Sequence, residues 1–538
     1  MEWPLRQALN GEKEASSAAF PLIRHIRVPK TTETGPDGDI QPAVWKSAVG
    51  ADAGDFTAVG YYFAKKMHLE LGVPVGLINN SWGGTHIETW TSREAFESSG
   101  DFREMLAALP AEGPVKAFRS ELSDFRKKLE EGQGRPLDPA DPMKYAEPDE
   151  DDSKWPAMTL PGIWDAQGLA MVDGKVWFRR TVELAEDPAG RKALLGLARI
   201  DDNDETYVNG VKAGGTEDWR ARREYAVPAG ALKKGRNLIA VRVTDTGGPG
   251  GFYGEAADMK LTVGDVSVPL AGKWSYMVES VSAGMHPNLY PTTLHSSMFR
   301  PIAPFAVNGI LWYQGEANCG RAYQYRKAFP LMINDWRARL GQGELPFYFV
   351  QLSSFRNDDG DSNTGSCWAE LREAQTMALS VPGTGMCVAT DIGDPDDIHP
   401  RNKETVGFRL AAMALRDLYS RDIVSRGPAY LSMRTDGDKA VVSFSEVGSG
   451  LEARGPGGKL NGFELAGADR VFRPAEAYIS GDAVVLRSPE VPAPAAVRYG
   501  WRGDAGADNL YNKEGFPAAP FRTDDWKGVT EGAVYEMK

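Results

Sequence analysis

The sequence predicts an α/β fold: a doubly wound sheet, interrupted by an inserted β-sandwich and followed by a C-terminal β-domain. Three observations carry this prediction. Helix, buried strand and Gly-rich loop follow one another both before residue 110 and between residues 273 and 425, the order expected of parallel sheets with helices on their faces. Between these stretches the apolar residues alternate with period two. After residue 426 only strands and turns remain.

Asp55 stands where it can cap a helix whose Phe56, Val59, Phe63 and Met67 share one face and which ends at Gly72. Val73-Pro74-Val75-Gly76-Leu77-Ile78 then reads as a buried strand running into the turn-rich Asn79-Asn80-Ser81-Trp82-Gly83-Gly84-Thr85. These elements assign residues 1–110 to the first part of the α/β domain. Residues 111–152 are charged and Pro-rich, with the acidic run Glu147-Pro148-Asp149-Glu150-Asp151-Asp152, and read as a solvated connector. The sandwich is placed at 153–272, because Val176–Val182 and Leu238–Val243 alternate and Gly-rich turns lie between them.

The α/β pattern resumes over 273–425. Val307-Asn308-Gly309-Ile310-Leu311-Trp312-Tyr313 is a strand feeding Gln314-Gly315-Glu316-Ala317-Asn318. A helix follows through Tyr325, Phe329, Met332, Trp336 and Leu340, with a bend or start expected at Pro330. The strand 346–352, a helix from Trp368 to Leu379, the apolar run Gly385-Met386-Cys387-Val388-Ala389 and a helix with Val406, Leu410, Met413 and Ala414 complete it. Residues 426–538 form the terminal β-domain.

Composition narrows the function. At 538 residues the chain suits three or four domains, taking about 150 residues each. A net charge of −13 leaves no basic surplus for phosphates, so no nucleic-acid partner is expected. No apolar run approaches the roughly 18 residues of a membrane span, so no membrane partner is expected. Cys319, Cys367 and Cys387 make neither a ligand spacing nor a disulfide framework. The acids Asp391, Asp394, Asp396 and Asp397 lack the spacing of a calcium loop. Neither a metal nor a cofactor is expected. The start, Met1-Glu2-Trp3-Pro4-Leu5-Arg6, has no basic region followed by an apolar one, so no export signal is read there.

Three loops at strand ends carry the chemistry: 81–85, 314–318 and 394–400. Loops at the ends of strands in one sheet converge in space. In Asp394-Pro395-Asp396-Asp397-Ile398-His399-Pro400 a histidine lies beside several acids. A carboxylate on one imidazole nitrogen fixes the tautomer and leaves the other as a base. His399 is therefore the candidate base, and Asp396 or Asp397 its orienter. Backbone N–H groups of Gly83 and Gly84, with a side-chain amide from Gln314 or Asn318, are candidates for an oxyanion hole.

Four blocks occur in order: Pro74–Thr85, Trp312–Asn318, Trp368-Ala369-Glu370-Leu371-Arg372-Glu373-Ala374-Gln375 and Asp397-Ile398-His399-Pro400. Together they resemble the sialate O-acetylesterase family, a branch of the SGNH hydrolases. The resemblance spans nearly the whole chain. It includes the insert, which looks like the galactose-binding-like jelly roll of β-galactosidase-type enzymes, and the end Asn509-Leu510-Tyr511-Asn512 with Pro520-Phe521-Arg522-Thr523-Asp524.

The resemblance implies a carbohydrate O-acetylesterase with a Ser-His-Asp mechanism, an O-acetylated sugar as substrate and His399 as base. Its orienter is Asp396, three residues earlier, or Asp397, the acid of Asp-Ile-His-Pro. Gly83 or Gly84 is the glycine of the second block. SGNH enzymes commonly carry Gly-x-Asn-Asp in the third block, whereas this chain has Gly315-Glu316-Ala317-Asn318; Gln314 is the first choice for the amide donor and Asn318 the second.

The family's serine lies in a Gly-Gln-Ser-Asn-Met block followed by something like Glu-Trp-Pro, and the resemblance here starts at Met1-Glu2-Trp3-Pro4. The expectation is a reading frame begun at an internal methionine, poor or no activity in the chain as written, and a neighbouring strand edge left unpaired. Two serines are weighed as substitutes: Ser362 in Gly360-Asp361-Ser362-Asn363, and Ser81. The other readings are a non-catalytic carbohydrate-binding protein using the insert, and a glycosidase with Glu316 as acid, for which no partner carboxylate is evident.

Overall fold

The computed structural model describes residues 1–33, 38–111, 113–169, 172–219, 221–246, 249–281, 287–356 and 360–536. The chain forms two compact units, Met1–Leu109 with Asn288–Lys538, and Pro110–Pro287. Both mix helices with sheets, and antiparallel pairing predominates.

In the first unit β1 (Ala19–Arg27), β2 (Lys46–Val49), α1 (Ala58–Leu71) and β3 (Val75–Asn79) follow in order. They build a sheet β2-β1-β3 in which β1 and β3 are parallel, Ile23 opposite Val75 and Arg27 opposite Asn79. Val59 and Met67 of α1 are buried, and Gly72 ends the helix with φ 69°, a conformation glycine adopts without strain. The expected cap is not Asp55: Thr57 holds the N-cap position, and Asp55 pairs with Arg6 at 2.7 Å.

The second sheet holds β4 (Ile310–Trp312), β5 (Phe347–Val350) and β6 (Thr384–Cys387), all parallel. With them come α2 (Ala322–Leu340), α3 (Cys367–Met377) and α4 (Lys403–Tyr419). α2 continues through Pro330 rather than starting there. Burial of Tyr325, Phe329, Met332, Ile333 and Trp336 outweighs the ~3 kcal/mol a mid-helix proline costs. Where the sequence predicts one doubly wound sheet, the structure has two three-stranded ones. β3 and β4 are edge strands, and both line one cavity.

Residues beyond 426 fold into antiparallel strands over a core of Val442, Phe444, Phe463, Leu465, Val484, Leu486 and Val497. α3 fastens this region to the rest of its unit. The fully buried Arg372 donates to the carbonyls of Leu352 (2.8 Å), Ser353 (2.7 Å), Arg502 (2.7 Å) and Gly503 (2.7 Å). Glu370 accepts from the backbone of Val529 and Thr530. Replacing the guanidinium strands four buried carbonyls, so Arg372→Met should lower the unfolding free energy by about 3–4 kcal/mol in urea titration. A change below ~1 kcal/mol would refute this fastening role.

Two buried histidines give the first unit an acid-sensitive stability. His25 of β1 stacks on Phe56 at 4.6 Å, and its pKa is pushed down to about 4 by burial and then by the Arg27 charge. His295 is likewise held at about 4 by burial, although Asp335 opposes the shift. Each binds its proton more weakly folded than unfolded. Their contribution is complete above the unfolded value near 6.5 and is lost as pH falls through about 4. The slope should approach about 1.4 kcal/mol per pH unit for each histidine inside that window. His25→Phe should flatten the fall measured by denaturation at stepped pH.

The second unit has two six-stranded antiparallel sheets. Strands Gly174–Leu184 and Gly235–Asp245 pair along their whole length, Val176 opposite Val243. Trp164, Phe178, Leu195, Leu197, Val241 and Trp274 belong to one core to which both sheets contribute. Strand Gly272–Val281 pairs with Gly174–Leu184, so this unit's sheet runs past residue 272. Nor is the charged stretch before it merely a solvated connector. Pro114–Gln133 is a helix that lays Leu122, Phe125 and Leu129, at i, i+3 and i+7, on that core. In the acidic run, Asp152 pairs with the buried Arg179 at 2.9 Å.

Candidate active site

A cavity of about 1170 Å³ opens in the first unit. Its lining includes β3 and β4, Gly83, Gly84 and Gln314, and His399 with Lys403. The chain start closes one side. The Thr57 hydroxyl donates to the carbonyl of Met1, and the Ala58 amide donates to that of Trp3 at 2.9 Å. Burial, and then the Lys403 charge, push the Met1 amine down to about 5.

His399 lies in the loop after β6. Its ring stacks on Trp3 with centroids 5.1 Å apart, and Nδ1 stands 3.8 Å from Asp397 Oδ1. That Asp397 oxygen also accepts from the His399 backbone amide at 2.9 Å, which curls the loop and fixes the carboxylate beside the imidazole. Asp396 goes elsewhere: its carboxylate meets Arg356 at 3.0 Å and is exposed. Of the two candidate orienters, the structure brings only Asp397 to His399. The His399 pKa is lowered, first by burial and then by Lys403, while Asp397 and Glu316 work against the shift. The shift favours the neutral imidazole, the form a base requires, although the side chain is 61% exposed.

Gly83 donates its backbone N–H to Glu2 Oε2 at 2.5 Å. The other oxygen of Glu2 meets Arg27 at 2.8 Å and Lys30 at 2.5 Å. Burial would raise the Glu2 pKa, but Lys30, Gly83 and Arg27 outweigh it and hold it below the usual value. Gly84 has φ 74° and open space around its Cα.

The two amide candidates are committed inside the protein. Gln314 Nε2 donates to Thr85 O at 3.1 Å and to Asn318 Oδ1 at 2.7 Å. Asn318 is buried; Nδ2 donates to Glu88 at 2.9 Å and Oδ1 accepts from Ile87 N at 3.0 Å. Gln314 lines the cavity, but neither amide offers it a spare hydrogen. Gly315, between the two amides in sequence, has φ 154°, and a Cβ there would lie 2.7 Å from Leu371, so only glycine fits the turn.

The substitute serines hydrogen-bond elsewhere, although Ser81 lines the same cavity as His399. Ser81 Oγ donates to Asn79 Oδ1 at 2.6 Å, and Ser362 donates to Glu464. The block Trp368–Gln375 makes structural bonds. Besides Glu370 and Arg372, Trp368 Nε1 donates to Ser353 O at 2.9 Å, and Gln375 bonds Leu352 N at 2.9 Å and Val350 O at 3.2 Å. It ties down the end of β5.

A family model described as carbohydrate esterase, sialic acid-specific acetylesterase matches residues 253–416. The chain is 34% identical over 156 residues to the sialate O-acetylesterase of Mus musculus, covering 26% of this chain and 28% of that protein. The Homo sapiens sialate O-acetylesterase is 32% identical over 156 residues, covering 26% of this chain and 29% of that one. A solved carbohydrate acetylesterase from Xanthomonas citri aligns with TM-score 0.61 and 29% identity over 98% of this chain and 78% of its own. Over the 156-residue stretch the chain is similar to the sialate O-acetylesterases. The aligned stretch spans under a third of these mammalian relatives. The segment matched by the family model contains Gln314, Asn318, Asp396, Asp397, His399 and Lys403.

Sequence reasoning missed three residues at the cavity. Trp3 supports the histidine ring. Asn80 lines the cavity with both side-chain amide atoms buried and without a hydrogen-bond partner. Lys403 had a legible signal: it occupies the apolar face of α4, in line with Val406, Leu410 and Ala414.

Proposed function

We propose that this chain carries the acid–base site of a carbohydrate O-acetylesterase of SGNH type, with the insert acting as a galactose-binding-like jelly roll. The observation that carries the reading is His399 held between Trp3 and Asp397 in a large cavity, on a chain similar to the sialate O-acetylesterases. His399 takes the proton of an attacking serine and returns it to the sugar oxygen that leaves. It then activates the water that cleaves the acetyl-enzyme. Asp397 orients the imidazole.

Gly83 supports the oxyanion role, because its N–H already meets a negatively charged oxygen, that of Glu2. Asn80 is the better side-chain donor, since Gln314 spends its hydrogens on Thr85 and Asn318, and Asn318 spends its own on Glu88. The nucleophile belongs to a Gly-Gln-Ser-Asn block that this chain does not contain. Acetate release from O-acetylated sugars by the chain joined to such a block, lost in His399→Ala, tests the proposal. Unchanged release in that variant would overturn it.

A further inference from the structure

We propose that the Lys403 ammonium is a carboxylate-binding site inside the cavity, placed to hold the acetate that deacetylation releases. Lys403 is only 4% exposed, yet it lines the cavity. Its nitrogen lies 5.0 Å from the ring centroid of Tyr313 and 5.7 Å from that of Trp3. Aromatic faces attract a cation, but they accept none of the three hydrogens an ammonium offers as a full acceptor would.

Other buried cations of this protein are satisfied by acids. Arg179 meets Asp152, Arg223 meets Asp204, Arg409 meets Asp391 and Arg498 meets Asp524. Among the described residues, no carboxylate forms an ion pair with Lys403. A buried charge without a partner is costly, and the space in front of it is the cavity. An anion arriving there gains a charge-assisted hydrogen bond without first displacing a protein carboxylate.

The groups that face this position are Glu316, Asp397, His399 and the Met1 amine. Burial pushes the Lys403 pKa down to about 8, with Glu316 and Asp397 opposing, so it stays mostly charged at pH 7. Glu316 is the one cavity-lining acid in this set, and it sets the sign of a control: its charge disfavours a second carboxylate. The inference rests on the esterase reading only for naming acetate as the bound carboxylate. Binding is measured without turnover, so the two fail separately.

The experiment titrates sodium acetate, and in parallel glucuronate, into the 538-residue protein by calorimetry and by the His399 ring resonances. Saturable acetate binding at pH 7 should weaken about tenfold or more in Lys403→Met, the loss expected for one charge-assisted hydrogen bond. It should persist in Lys403→Arg, tighten in Glu316→Gln, and fade as pH rises past about 8 rather than near the ordinary lysine value. The Glu316→Gln arm keeps the test decisive if Lys403→Met fails to fold, because it moves affinity the opposite way. Lys403-dependent binding of either carboxylate upholds the site and tells whether product or a sugar acid fills it. Binding of neither, or binding of both that is indifferent to Lys403→Met and Glu316→Gln, overturns it.

Discussion

The 538-residue polypeptide should hydrolyse p-nitrophenyl acetate about 10⁶-fold more slowly than the same polypeptide joined at Met1 to a segment ending in Gly-Gln-Ser-Asn. Three features fix the size and direction of this difference. The proposed base, His399, faces the cavity with Asp397 Oδ1 3.8 Å from its Nδ1, and Lys403 helps to lower its pKa. The hydroxyls considered as substitutes are spent elsewhere, Ser81 on Asn79 and Ser362 on Glu464. Met1, to which the added serine would be joined, lines the same cavity as His399.

The added segment should also raise stability. The edge strands β3 and β4 both border that cavity with unpaired backbone groups, and a strand entering there would hydrogen-bond to them. His399→Ala in the joined protein should return turnover to the level of the shorter chain. Equal hydrolysis by the two polypeptides, measured as initial rates of p-nitrophenolate release, would refute the missing nucleophile. It would also point to Ser81, which Ser81→Ala would then expose.

Some of this architecture is written plainly in the sequence, and the reason is periodicity. The runs at 176–182 and 238–243 read as strands, and the structure pairs them side by side as antiparallel neighbours of one sheet. The helix over α4 was legible from Val406, Leu410 and Met413 on one stripe. Pro330 and the charged stretch before the insert misled for a common reason: local propensity loses to an apolar face that a core can bury.

His399 stood out in the sequence as an acid-flanked histidine after a strand, and the structure sets it at the cavity beside Asp397. The amides were less legible. Gln314 and Asn318 have the right chemistry, but only coordinates reveal that Thr85, Glu88 and Ile87 consume it. The same limit hid Asn80, whose side-chain atoms have no such partners. Residue type states what a side chain can do; packing decides whether it is free to do it.

Between the two adjacent acids the geometry makes a sharp prediction. In the serine-bearing protein Asp397→Asn should cost about 10⁴ in kcat, whereas Asp396→Asn should stay within about threefold of the parent. Asparagine at 397 can still accept the His399 amide, so the loop keeps its shape and the loss reports charge and tautomer rather than misfolding. The 3.8 Å between Nδ1 and Asp397 Oδ1 is too long for a hydrogen bond, yet catalytic contacts commonly tighten when substrate closes the site. Asp396 has no comparable route, because its exposed carboxylate is turned to Arg356 at 3.0 Å. The pH profile separates the roles further. Asp397 is the leading group raising the His399 pKa, so removing its charge should move the acidic limb of residual activity to lower pH, while Asp396→Asn leaves that limb in place. A large loss at 396 with little at 397 would reassign the orienter to the Asp-x-x-His acid and require the loop to refold when substrate binds.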